Sequence, residues 1–145
     1  MTTVEDFRAL AAAEQGLVVV STARADGTVQ ASLVNAGVLP HPATGVPVVG
    51  FVTYGRVKLA NLRSRPRATV TARSGWRWAT VEGASELIGP DDPVDGLSGD
   101  RLRSLLREVF VAAGGTHDDW EQYDRVMAEE RRTVVLVSAA RCYGS

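Results

Sequence analysis

The chain is poor in the residues that build metal sites and covalent staples. Cys142 is its only cysteine in 145 residues, so a disulfide within one chain is excluded. With only His41 and His117 to join that cysteine, a Cys/His zinc site lacks ligands, and no metal is expected. No apolar run approaches the ~20 residues that span a bilayer. The opening residues, Met1-Thr2-Thr3-Val4-Glu5-Asp6, have neither the basic start nor the apolar stretch of a signal peptide. The expectation is a cytoplasmic protein with no membrane span. GxGxxG, P-loop and GxSxG patterns are also missing, which removes the usual dinucleotide, phosphate-loop and hydrolase signatures. Ser21, Ser32 and Cys142 have no motif beside them that marks a nucleophile.

What is present suits one domain over residues 1–145. Hydrophobic residues make up 45% and charged residues 23%, the balance of a globular chain and not of a disordered one. A chain this long buries roughly two-thirds of its exposable surface on folding.

The net charge of −1 argues against a surface that attracts nucleic acid throughout. The charge is unevenly placed. Residues 56–67 carry Arg56, Lys58, Arg63, Arg65 and Arg67 with no acid, whereas 91–130 holds 11 of the 17 acidic residues. Of the 16 basic residues, 15 are arginine, and the single lysine lies inside the basic segment. That preference, with abundant Ala, Val and Gly, fits a GC-rich genome of the actinobacterial kind. No aromatics interleave with the basic run, so no nucleic-acid partner is expected.

Hydrophobic periodicity divides the chain into short elements. Val4 to Ala13 reads as a helix, with Phe7, Leu10 and Ala11 on one face. Leu17 to Arg24 and Thr28 to Val38 read as strands around an Ala25-Asp26-Gly27 hairpin, followed by a loop over Leu39 to Gly45. Pro47 to Thr53 is a third strand. Arg56 to Arg63 has helical spacing, with Val57, Leu59, Ala60 and Leu62 expected inward and Arg56 and Lys58 exposed; Pro66 ends it. Ala68 to Arg73 and Trp76 to Ile88 form a further strand pair around Ser74-Gly75. Gly89 to Gly99 is a polar linker, Arg101 to Ala113 and Asp118 to Glu130 are amphipathic helices, and Thr133 to Val137 closes the chain. Six strands joined mainly by hairpins, with helices at the edges, predict a mainly β fold: a six-stranded antiparallel barrel with peripheral helices.

Few groups stand out for chemistry. His41 lies between two prolines on a loop, and His117 heads an acidic helix. Glu82 and Glu86 share one face of a strand, the spacing of an outward polar edge or of paired carboxylates. The segment Thr53-Tyr54-Gly55-Arg56-Val57-Lys58 leaves a strand through a glycine and opens a helix. Helix N-termini attract anions through free amides and a partial positive charge, and Arg56 and Lys58 add full charges there. A merely solvated basic helix is the plainer alternative.

The run GRVKLANLRSRPRA, the ADG hairpin before it, GWRWATVEGASEL after it and the terminal RRTVVLVSAARCYGS resemble, in order and spacing, the split-barrel flavin and deazaflavin proteins related to pyridoxamine 5′-phosphate oxidase. The similarity runs from about residue 4 to 144 and is greatest to the actinobacterial branch that binds coenzyme F420. One departure from the pattern is Arg65, where the family usually has Asp before Pro-Arg.

The resemblance implies a homodimeric oxidoreductase with the cofactor in a groove between subunits, transferring a hydride between reduced F420 and a small-molecule substrate. By position it implies that Arg56 and Lys58 bind the cofactor phosphate and that Thr53, Tyr54, Gly55 and Asn61 line the approach. It places Ser32 and Asn35 near the ring and Trp76 or Trp78 as a wall, with dimer-core packing the alternative for both tryptophans. FMN is the alternative cofactor, and a non-catalytic F420 carrier the alternative role. Five cations in twelve residues exceed what one FMN phosphate needs, which favours F420 with its phosphodiester and glutamate tail; Arg63, Arg65 or Arg67 would meet that tail. Apolar residues on both faces of Val18–Val20 and Val48–Val52 point independently to a homodimer.

Overall fold

A computed structural model describes residues 1–145. The first helix, α1 (Val4–Ala13), starts at a reciprocal cap in which Thr3 and Asp6 each accept from the other's backbone amide. Strands β1 (Leu17–Ala23) and β2 (Val29–Pro40) follow. In the turn between them Asp26 accepts from the Thr28 amide at 3.0 Å, and Gly27 takes the left-handed φ of 86° that the turn requires. Then come β3 (Pro47–Thr53), α2 (Arg56–Ser64), β4 (Arg67–Ser74) and β5 (Arg77–Ile88). The chain ends with α3 (Asp100–Ala112), α4 (Trp120–Glu129), β6 (Thr133–Ser138) and β7 (Arg141–Gly144).

Six strands close a ring. The neighbours run β4-β1-β2-β3-β6-β5, and β4 pairs with β5 to complete the barrel, every pairing antiparallel. Two long strands, β2 and β5, change partner midway. Residues 29–35 of β2 lie on β1 and 36–40 on β3, while 77–84 of β5 lie on β4 and 85–88 on β6. The barrel is therefore split into two half-sheets that share these strands. The seventh strand, β7, lies outside the ring along Ala79–Glu82 of β5. Between β6 and β7 the backbone crosses so close to Gly83 that a Cβ there would stand 2.1 Å from the Ser138 carbonyl oxygen.

The barrel interior is packed with Val18, Val20, Phe51, Val70, Val81 and Val135, none more than 2% exposed. Phe7 and Leu10 of α1 and Leu59 and Leu62 of α2 join the same core. A second apolar layer lies outside the barrel, where Leu105, Leu106 and Val109 of α3 and Tyr123 of α4 cover Leu39, Val48, Ile88, Val134 and Leu136. No helix is long and apolar enough to cross a membrane.

The expected six-stranded split barrel is present, with four differences in detail. The β7 strand is additional. The second strand runs on to Pro40, inside the expected loop. Helix α2 is turned on its axis: Lys58, Leu59, Asn61 and Leu62 are buried, while Val57, Ala60 and Arg56 face out. Leu59 and Leu62 lie inward as expected, but the buried face extends to Lys58 and Asn61 on one side of them and not to Val57 and Ala60. Finally, β3 needs no partner chain to cover its second face, because α3 does so within the chain. The comparable surplus on β1 and β2 does stay open, with Val19 and Leu33 as cross-strand neighbours on the outside.

Candidate functional site: the groove at the start of helix α2

The site forms where β3 gives way to α2. Thr53 Oγ1 accepts from the Gly55 amide at 3.0 Å, which folds the link tightly and starts the helix at Arg56. The helix start is electrostatically unfavourable on its own. It has no side-chain cap and no acid in its first turn, and it carries two cations at the end where the helix dipole is positive. Lys58 is one of them, buried and without a carboxylate partner, and burial pushes its pKa below the ordinary lysine value. Local rules broken together in this way mark functional positions.

Beside Lys58 runs a groove of about 610 Å³. One wall is Asn35, Val52, Thr53, Tyr54 and Gly55; the other is Val109, Phe110 and Ala113 from α3 and its end, with Tyr123 and Met127 from α4. Tyr123 donates its hydroxyl to the Leu106 carbonyl at 3.0 Å, and burial raises its pKa to about 12. It is thus a fixed wall that stays protonated. Phe110 packs on Tyr123 with ring centroids 4.9 Å apart, and Trp120 and His117 extend this aromatic cluster. At the mouth, the guanidinium of Arg132 stands 3.9 Å above the Tyr54 ring. The groove thus combines flat apolar walls with cations, a form that fits a planar ring carrying an anionic side chain.

The sequence profile of pyridoxamine 5′-phosphate oxidase matches residues 4–143. The chain belongs to that family. Known structures agree on the fold of this oxidase-family chain. The conserved hypothetical protein Rv2991 of Mycobacterium tuberculosis superposes with a TM-score of 0.66 at 17% identity, covering 99% of this chain and 84% of that one. An F420 reductase gives 0.57 at 17% identity, with 88% of each chain covered. An FMN-binding protein of Nostoc punctiforme related to pyridoxamine 5′-phosphate oxidase gives 0.60 at 12% identity, over 97% of this chain and 80% of the other.

Of the residues singled out in the sequence, this oxidase-family fold brings Asn35, Thr53, Tyr54, Gly55 and Lys58 together around the groove. The others lie elsewhere. Arg56 is exposed on α2, outside the groove lining. Asn61 sits beneath the helix, donating to Thr22 Oγ1 at 3.1 Å and accepting from Arg65, so it fastens α2 to β1. Ser32 alternates with the outward Leu33, and its hydroxyl is buried with no partner. Trp76 is 98% exposed in the β4–β5 turn. It lies with Trp78, Val19, Thr71 and Arg73 around a shallow hollow on the open sheet face, separate from the groove.

The basic segment is also less free than its composition implies. Arg63 grips Asp92 through two hydrogen bonds of 2.9 and 2.7 Å, and Arg65 donates to the Ala23 carbonyl at 2.8 Å. Lys58, expected on the surface, is buried because α2 turns that edge toward the barrel. Glu82 accepts from Tyr143 and Glu86 lies 3.1 Å from His41, so the two carboxylates are engaged separately. His117 Nδ1 accepts from the Asp119 amide near the start of α4.

Arg132, Phe110, Tyr123 and Met127 complete the groove and carried no signal of their own. The three apolar residues looked like ordinary core positions of amphipathic helices. Only tertiary folding brings Arg132 to Tyr54.

Proposed function

We propose that the chain is a cytoplasmic F420-dependent oxidoreductase, working on a small-molecule substrate beside the groove. The observation that carries this is Lys58: the only lysine, buried without an acid, at the start of α2 on the edge of an apolar groove. A reduced deazaflavin bound there supplies the hydride. Lys58 meets the anionic side chain, whose charge offsets the cost of keeping an ammonium away from water. Thr53, Tyr54 and Gly55 shape the approach, and Asn35 is oriented by its 2.9 Å bond to the Gln15 carbonyl. Val52, Val109, Phe110 and Met127 exclude water from the ring. Tyr123 holds its proton through the neutral range and serves as packing. The shared fold of the F420 reductase supports this assignment.

The same proposal includes a homodimer. Leu33 lines the groove and is 64% exposed on the outer face of β1 and β2, where Leu17, Val19 and Val29 also face outward, with Trp78 of β5 beside Val19. A second copy seated on this apolar face would wall the groove at Leu33.

FMN is the second candidate, favoured by one observation. Arg63 and Arg65 are committed within the chain, which removes much of the cation surplus that argued for a polyanionic tail. Absorbance titrations with F420 and FMN decide between the two, and light scattering tests the dimer against the 15.5 kDa chain mass. Tighter F420 binding is expected. Tighter FMN binding replaces the assignment, and binding of neither removes both.

A further inference from the structure

We propose that Arg132 is a second anion-binding residue of the groove, aimed there by the grip of Asp91 on Arg131. As a statement about the cofactor this rests on the function proposed above; as a statement about anions it does not.

Arg132 lines the groove together with Lys58. Its guanidinium is stacked on Tyr54, which fixes the plane and leaves only the edge to meet a ligand. On that edge Nη2 donates to Glu130 at 3.0 Å, while Nε is buried and has no acceptor. A charged donor left unpaired inside a protein is costly, and such groups are rare without a use.

The backbone that presents Arg132 is unusual too. Helix α4 ends with Arg131 at φ 49°, the left-handed position that helix ends normally give to glycine. The turn is closed by the Arg131 amide on the Ala128 carbonyl and the Arg132 amide on the Met127 carbonyl, at 3.2 and 3.0 Å. An arginine there carries strain that glycine would avoid. Its side chain is pinned by Asp91, 2.6 Å from Nη2 and 3.2 Å from Nε. Asp91 belongs to the 89–99 strap, whose next residue, Asp92, is gripped by Arg63 of α2. One strap therefore ties the Lys58 helix to the turn that carries Arg132. Asp91 and Arg131 are positioning residues; Arg132 makes the contact.

The test compares ligands that share a ring and differ in the anionic side chain: FMN with riboflavin, and F420 with its phosphate-free deazaflavin chromophore. Arg132→Gln is expected to weaken binding of the phosphorylated member by about tenfold to a hundredfold. The phosphate-free member should change by less than about threefold. Equal losses for both members would make Arg132 a packing group for the ring and overturn the proposal. Asp91→Asn is expected to weaken the phosphorylated ligand several-fold, and adding Arg131→Gly should restore it, since glycine takes the left-handed φ unaided. Loss without rescue would remove the positioning role.

If the wild-type chain binds none of the four compounds, the cofactor assignment fails, and inorganic pyrophosphate then decides for Arg132 alone. A melting temperature raised by pyrophosphate in the wild type and unmoved in Arg132→Gln supports the anion site. No rise, or an equal rise in both, overturns it.

Discussion

Where the second half of β2 runs beside β3 and β6, Leu39, Val48 and Leu136 are at most 4% exposed beneath α3 and α4. Where the first half of β2 runs beside β1, Val19 and Leu33 stand 43% and 64% exposed. Both faces come from strands with the same apolar richness, and β2 contributes to each. Only the destination of the helices differs. The acidic segment 91–130 supplies the helices of the covered side, their apolar stripes turned onto the sheet and their carboxylates outward or paired, as Asp124 is with Arg107. The other side receives no helix and keeps the character of an interface. An apolar strand therefore shows that something covers it, without showing whether that cover lies in the same chain.

The sharpest way to break this contrast is to place the same charge on each face. Val109→Asp, 1% exposed under α3, should lose more than about 4 kcal/mol and leave the chain largely unfolded in a urea titration. Leu33→Asp should leave monomer stability within about 0.5 kcal/mol while abolishing self-association in light scattering. A folded Val109→Asp chain, or a Leu33→Asp chain that still self-associates, would erase the distinction between the faces.

The groove lies between those faces, and Lys58→Met tests how it serves both stability and binding. Methionine keeps the packing and removes a buried charge. Urea unfolding should show about 0.5–2 kcal/mol of added stability, while phosphorylated-cofactor affinity falls by about 1.5–3 kcal/mol. The pH dependence follows from the lowered folded pKa. Between that value and the ordinary 10.5 of an unfolded chain, the unfolded state holds more protons at Lys58. Its contribution therefore makes the protein more stable as pH rises through this window, while anion affinity falls. Both trends should be absent from Lys58→Met and so stand alone in the difference between wild type and mutant.

The smallest effect concerns the strap. Arg63→Ala removes a partly exposed ion pair and should cost only about 0.2–1 kcal/mol in urea, less at high salt.

The strands, hairpins and barrel were legible because alternation and turn residues are local signals. The α2 segment stood out in the sequence because its charges are clustered there. Leu59 and Leu62 were legible on its buried face, but Lys58 and Asn61 were not, since Asn61 turns in to Thr22 and Lys58 to the groove. Arg132 was invisible beside Arg131, because nothing local distinguishes a guanidinium stacked on a distant tyrosine from one in water. Trp76 and Trp78 border one hollow that shares no lining residue with the groove, a separation only the closed barrel shows.

A single lysine at such a place also makes the molecule its own gauge. Apart from the amino terminus, the chain offers amine-reactive reagents one target, and that target sits at the edge of the groove. Acylation should therefore add one label there at a rate set by opening of the groove, and a resident ligand should shield it. Intact mass measured against time would then report occupancy directly, with no chromophore, no substrate and no engineered tag.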